Sequence, residues 1–125
     1  KIVLDVHRDA IEQSDGTRIK PTTTVNGRKA AQIMIIAGCE DGKVTSFPTW
    51  SKSYIRAKAA ADSRNHVSGA YAADTVFRKK YNMDVTPCSV LLEFGSDSNT
   101  IAEAEYSGHL MGKAIVEFII QRLNH

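Results

Sequence analysis

The chain has 125 residues, 42% hydrophobic and 24% charged, a composition that supports one soluble globular domain with one core. Its 16 basic and 14 acidic residues leave a formal charge of +2, and no like-charge block exceeds Arg78-Lys79-Lys80, which excludes a nucleic-acid footprint. No apolar run reaches the roughly 20 residues that span a bilayer, and no secretory apolar segment opens the sequence.

The chain begins without Met, directly on an apolar strand, and is expected to be an excised or processed piece whose anchor or signal lies upstream. In Ile2-Val3-Leu4-Asp5-Val6-His7-Arg8-Asp9, alternation puts Ile2, Leu4 and Val6 on one face and Val3, Asp5, His7 and Asp9 on the other. His7 falls near the strand's C-terminal end, where open α/β sheets bind ligands. An imidazole with carboxylates two residues away on the same face suits a metal ligand whose tautomer a carboxylate fixes. It equally suits a hydrogen-bonded structural histidine beside an ordinary Arg-Asp surface pair.

From Glu12 to Lys20 the chain is polar, with an Asp15-Gly16 turn signal. Thr22–Val25, the Asn26-Gly27 dipeptide and Ala30–Gly38 predict a β-hairpin whose second strand is long and buried. Gly38-Cys39-Glu40-Asp41-Gly42 lacks the Lys-Ser/Thr of a phosphate loop and carries two acids, so a turn is expected. After Phe47-Pro48, Thr49 or Ser51 can cap a helix of about 14 residues that packs on the sheet, with Phe47 and Trp50 as core or lid. The small polar stretch from Asn65 to Thr75, containing His66, reads as a loop at a site rim. Cys39 and Cys88 form neither a CxxC pair nor a zinc-ribbon spacing and read as buried thiols.

Pro87 to Thr100 holds the most informative pattern. Val90, Leu91, Leu92 and Phe94, bounded by Pro87 and a Gly-Ser-Asp-Ser-Asn cluster, predict a strand buried on both faces. Glu93 then sits at that strand's C-terminal end among apolar neighbours, where burial raises a carboxylate pKa unless a cation or metal offsets it. The ordinary alternative is a Glu paired with Lys or Arg, or frayed into solvent. Thr100-Ile101-Ala102-Glu103 is a capping-box pattern opening a long helix whose apolar stripe runs through Ala104, Gly108, Met111, Ile115, Phe118 and Ile119. His109 lies off that stripe and is expected in solvent, as is His125 at the terminus.

Taken together, Leu4-Asp5-Val6-His7-Arg8-Asp9, Tyr81-Asn82-Met83-Asp84, Leu91-Leu92-Glu93-Phe94-Gly95, Asn99-Thr100 and Glu103-Ala104 resemble the C-terminal portion of the stage II sporulation protein P family. The resemblance runs from about residue 2 to residue 120 and assigns the chain to zinc-dependent N-acetylmuramoyl-L-alanine amidases. It implies an α/β fold with a mixed, mostly parallel sheet flanked by helices, residues 1–125 forming the C-terminal part of one catalytic domain. It further implies His7 as a zinc ligand, Glu93 as the catalytic carboxylate, and Arg8 and Asn82 as substrate contacts. The family's first metal-binding segment, a His-Thr-His-like strand followed by a Glu, is not found here, so the other zinc ligands are expected upstream. Ala10 replaces a small hydroxyl residue of many relatives.

The implied activity is zinc-assisted hydrolysis of the amide between N-acetylmuramic acid and L-alanine of peptidoglycan during sporulation engulfment. Sporulation protein D is the implied partner, and the implied location is extracytoplasmic, at the sporulation septum, membrane-associated through an upstream segment. An exposed edge or face at the first strand would also favour a homodimer. Two other readings stand beside this one: a zinc peptidase on a similar scaffold, and a noncatalytic cell-wall-binding or protein-interaction module.

Overall fold

In a computed structural model, residues 2–38, 75–77, 81–87 and 89–124 are described. Their strands are β1 (Val3–Asp9), β2 (Thr22–Val25), β3 (Arg28–Ala31), β4 (Ile33–Gly38), β5 (Thr75–Phe77) and β6 (Ser89–Ser96), followed by the helix α1 (Ile101–Leu123). The expected turn after Gly38, the helix after Pro48, Phe47, Trp50, the loop with His66, both cysteines and His125 lie outside the described residues.

Four strands form one sheet in the order β1-β6-β4-β5, and β2 and β3 form a separate two-stranded sheet. β4 and β5 pair in parallel, with Ile36 opposite Thr75 and Gly38 opposite Phe77. The described architecture is therefore mixed α/β, a small mixed sheet with one parallel pair and a C-terminal helix. It is not the helix-flanked, mostly parallel sheet expected. Leu4 and Val6 of β1, and Ile2 just before it, keep 39%, 60% and 54% of their surface in solvent, so the strand's apolar face is not covered as a helix-flanked strand's would be.

The chain divides into two compact units, with boundaries inside β1, β4 and β6. The first holds the described residues 2–7, 34–38, 75–77, 81–87 and 89–93. Its core is Ile35, Ile36, Met83, Leu91 and Leu92. Leu91 and Leu92 are consecutive and both buried, so β6 is covered on both faces, as its uninterrupted apolar run predicts.

The second unit holds residues 8–33 and 94–124. The hairpin forms where expected: Asn26 and Gly27 take φ of 51° and 76°, the two positive angles a tight two-residue hairpin turn requires. Its second strand, however, is broken at Gln32. There the Gln32 N–H still bonds back to Pro21 O at 3.0 Å, while its carbonyl accepts from Gly95 N–H at 2.8 Å. Continuous apolarity hid this change of partner, because burial does not depend on which strand supplies the hydrogen bonds. α1 packs on β3, where Ser107 Oγ donates to Ala31 O at 2.6 Å, and its Tyr106 Oη donates to Val25 O of β2 at 3.2 Å. Met111 is the buried centre of the helix stripe, and His109 is exposed as expected.

Candidate functional site

In the first unit, strand alternation brings Asp5 and His7 to the same side of β1, two residues apart. His7 Nε2 lies 2.7 Å from Asp5 Oδ1, and Asn82 Nδ2 donates to Asp5 Oδ2 at 3.0 Å. Both oxygens of one carboxylate are thus engaged. The Asn82 hydrogen bond holds the Asp5 carboxyl below the ordinary carboxylate range; mild desolvation opposes it and the His7 contact adds to it. Asp5 therefore stays ionised and orients the imidazole, as a carboxylate beside a metal-binding histidine would.

Asn82 reaches Asp5 from a strained turn. Tyr81 and Asn82 have φ of 46° and 59°, the left-handed region that Asn tolerates and Tyr does not readily enter. Buried Met83 anchors this turn. Asn82, expected as a substrate contact, donates through its amide to Asp5.

Glu93 belongs to the same unit, on β6, the strand adjacent to β1. It is half-buried and its Oε2 is sheltered from solvent. The expectation that it ends its strand is corrected: β6 continues through Phe94, Gly95 and Ser96. Gly95 extends the pairing through its bond to Gln32 despite φ of 69°. No other residue fits there, because an added Cβ would collide with Asn99 Oδ1 and stand 2.8 Å from Ala31 Cβ.

Arg8 belongs to the second unit. Its Nη2 donates to the carbonyls of Ser96 at 2.9 Å and Asn99 at 2.5 Å, so part of its guanidinium is spent on backbone. Beside it lies a buried polar cluster that the spacing of residues does not reveal. Asn99 Oδ1 accepts from Ser96 N–H, and Asn99 Nδ2 donates to Pro21 O, Thr22 Oγ1 and Glu103 Oε2. Glu103 also pairs with Lys20 Nζ at 3.0 Å and accepts from Thr100 N–H. The only hint in the sequence is the capping box itself, which locates Glu103 but not Lys20.

With Nε2 turned to Asp5, Nδ1 is the His7 nitrogen suited to bind a metal, so the Asp5-His7 pair fits one ligand and its supporting carboxylate. Among the described residues, no group of three or more His, Cys, Asp or Glu is placed to hold a metal. A catalytic zinc takes three protein ligands. Among the described residues, His7 by itself does not make such a set.

No helix among the described residues is long and apolar enough to cross a membrane. No curated protein and no solved structure matches the chain. Residues 1–116 match the family Stage II sporulation protein P (SpoIIP), and the chain belongs to that family, a membership that implies a role in sporulation engulfment.

Proposed function

We propose that this chain carries part of the active site of a peptidoglycan amidase, which hydrolyses the bond between N-acetylmuramic acid and L-alanine. The observation that supports this reading is the Asn82-Asp5-His7 chain of contacts, 3.0 and 2.7 Å, in the same unit as half-buried Glu93. A structural surface histidine does not need its carboxylate partner held on both oxygens.

In this reading, His7 Nδ1 would hold zinc, together with further ligands expected upstream of Lys1. The bound metal supplies Lewis acidity toward water and the scissile carbonyl. Asn82 fixes Asp5, and Asp5 fixes the ring and tautomer of His7. Glu93 takes the proton of the attacking water and returns it to the departing amine nitrogen, so that amide and water become acid and amine. Its sheltered position keeps competing solvent from that proton. The substrate surface is peptidoglycan, the partner is sporulation protein D, and the site of action is extracytoplasmic.

The test is release of free stem peptide from purified muropeptides by the protein with its upstream segment. Glu93→Gln is expected to retain metal while turnover falls by about 100-fold or more, the scale of a lost general base. Metal loss in that variant would make Glu93 a ligand. Release of peptide fragments without the L-alanine end would favour a zinc peptidase, and binding without release would favour a wall-binding module.

A further inference from the structure

α1 meets β3 along one side, where Glu103, Ser107 and Met111 are buried at intervals of four residues. Beyond Met111 a second apolar side opens. Gly112, Val116, Ile119 and Leu123 recur at spacings of four, three and four, with Ile120 beside them. Val116, Ile120 and Leu123 keep 55%, 52% and 79% of their surface in solvent. At 100° per residue, Val116 lies about 140° round the helix from Met111, so packing on β3 does not account for this side. A four-three-four repeat is the spacing of a seam between two helices. Ile119, Ile120 and Leu123 lie past residue 116, where the family match ends, so the seam is a feature of this chain.

The flank of the seam determines which helix fits it. Lys113 and Glu117, one turn apart, are both exposed and border the same side of the stripe, about 60° and 100° from Val116. Among the described residues neither has an ion-pair partner. A two-fold axis beside Val116, perpendicular to the helix, sets an antiparallel copy against the seam and brings like flanks together. Lys113 then stands beside Glu117 of the second copy, offset by about 3 Å along the helix, and the pair occurs twice by symmetry. A parallel pair brings unlike flanks together and separates these charges. The antiparallel operation also sets Gly112 against Ile120 of the second copy. An added Cβ at Gly112 would meet nothing within 4 Å, so the glycine leaves open room for that side chain.

We propose that the distal half of α1 is a homodimer surface: two copies of this chain pair antiparallel along the Gly112–Leu123 seam, held in register by reciprocal Lys113–Glu117 ion pairs. The patch is smaller than the roughly 20 residues a side of a stable interface, so the dimer is weak, with a Kd on the order of 100 µM. It does not depend on the amidase reading.

Sedimentation equilibrium of the 125-residue chain tests it. The average mass is expected to rise from 13.7 kDa toward twice that value between about 10 µM and about 1 mM. Lys113→Glu and Glu117→Lys each place like charges together, and each should raise Kd about tenfold. Combined, they restore opposite charges and should return Kd to within about threefold of the wild type. Ile120→Asp should leave the chain monomeric throughout. A wild type that is monomeric at about 1 mM overturns the proposal. A dimer that survives Ile120→Asp also overturns it and places the contact elsewhere, as on the edge of β1. Loss of the dimer in Ile120→Asp with no response to either single charge change overturns the antiparallel pairing. Should Ile120→Asp fail to fold, Leu123→Asp, on the most exposed of these side chains, is read by the same criteria.

Discussion

Glu103 is buried with Lys20 Nζ, Thr100 N–H and the Asn99 amide around its carboxylate. Burial pushes its pKa up, but Lys20, Thr100 and Asn99 together outweigh burial and bring it down to about 2. The folded value lies below the ordinary carboxylate value near 4.3, so the unfolded chain binds the proton first as pH falls. Stability from Glu103 is therefore complete above about pH 5 and is lost progressively down to about pH 2. Urea midpoints measured between those limits should decline in the wild type. They should decline less steeply in Glu103→Gln, and equal slopes would show that Glu103 does not carry the acid sensitivity. The Thr100-x-x-Glu103 spacing announced this residue, but Lys20, 83 positions earlier (103 − 20), could be joined to it only by folding.

Among the elements, α1 is the one whose beginning is best specified. Thr100 Oγ1 accepts from Glu103 N–H at 3.2 Å, and Glu103 Oε2 accepts from Thr100 N–H at 3.0 Å, the reciprocal pair that the sequence pattern predicts. Thr100→Ala is expected to cost about 1 kcal/mol, read as a lowered urea midpoint with unchanged slope. No change would mean that water replaces the hydroxyl at this exposed position without loss. The hairpin turn at Asn26-Gly27 was legible for a similar reason, since its demand for positive φ is met by two residues adjacent in sequence. The break at Gln32 and the continuation of β6 through Gly95 were not. Each depends on a hydrogen bond to a distant segment, from Gln32 to Pro21 and from Gly95 to Gln32.

At the scale of the whole molecule, the described residues present one histidine-carboxylate pair and no three-residue metal cluster. On the amidase reading, the 125-residue chain is expected to retain well under one zinc per molecule after dialysis, whereas the protein with its upstream segment retains a stoichiometric ion. Metal analysis of both decides it, and stoichiometric zinc on the shorter chain would show that the ligand set closes within it. The exposed Ile2, Leu4 and Val6 in and just before β1, and Val116, Ile120 and Leu123 of α1, are further apolar surface that the described residues leave uncovered.

Local chemistry was readable without coordinates: alternation set Asp5 and His7 on one face, an apolar run made β6 a buried strand, and four adjacent residues wrote the start of α1. These features depend on torsions and spacings within a few residues, which composition and order encode directly. Tertiary structure alone joined Asn82 to Asp5 across 77 positions, turned Arg8 onto the carbonyls of Ser96 and Asn99, and surrounded Glu103 with Lys20 and Asn99. The physical reason is that a polar group leaving water takes whichever partner the folded backbone brings within hydrogen-bond reach, and sequence separation carries no information about that distance.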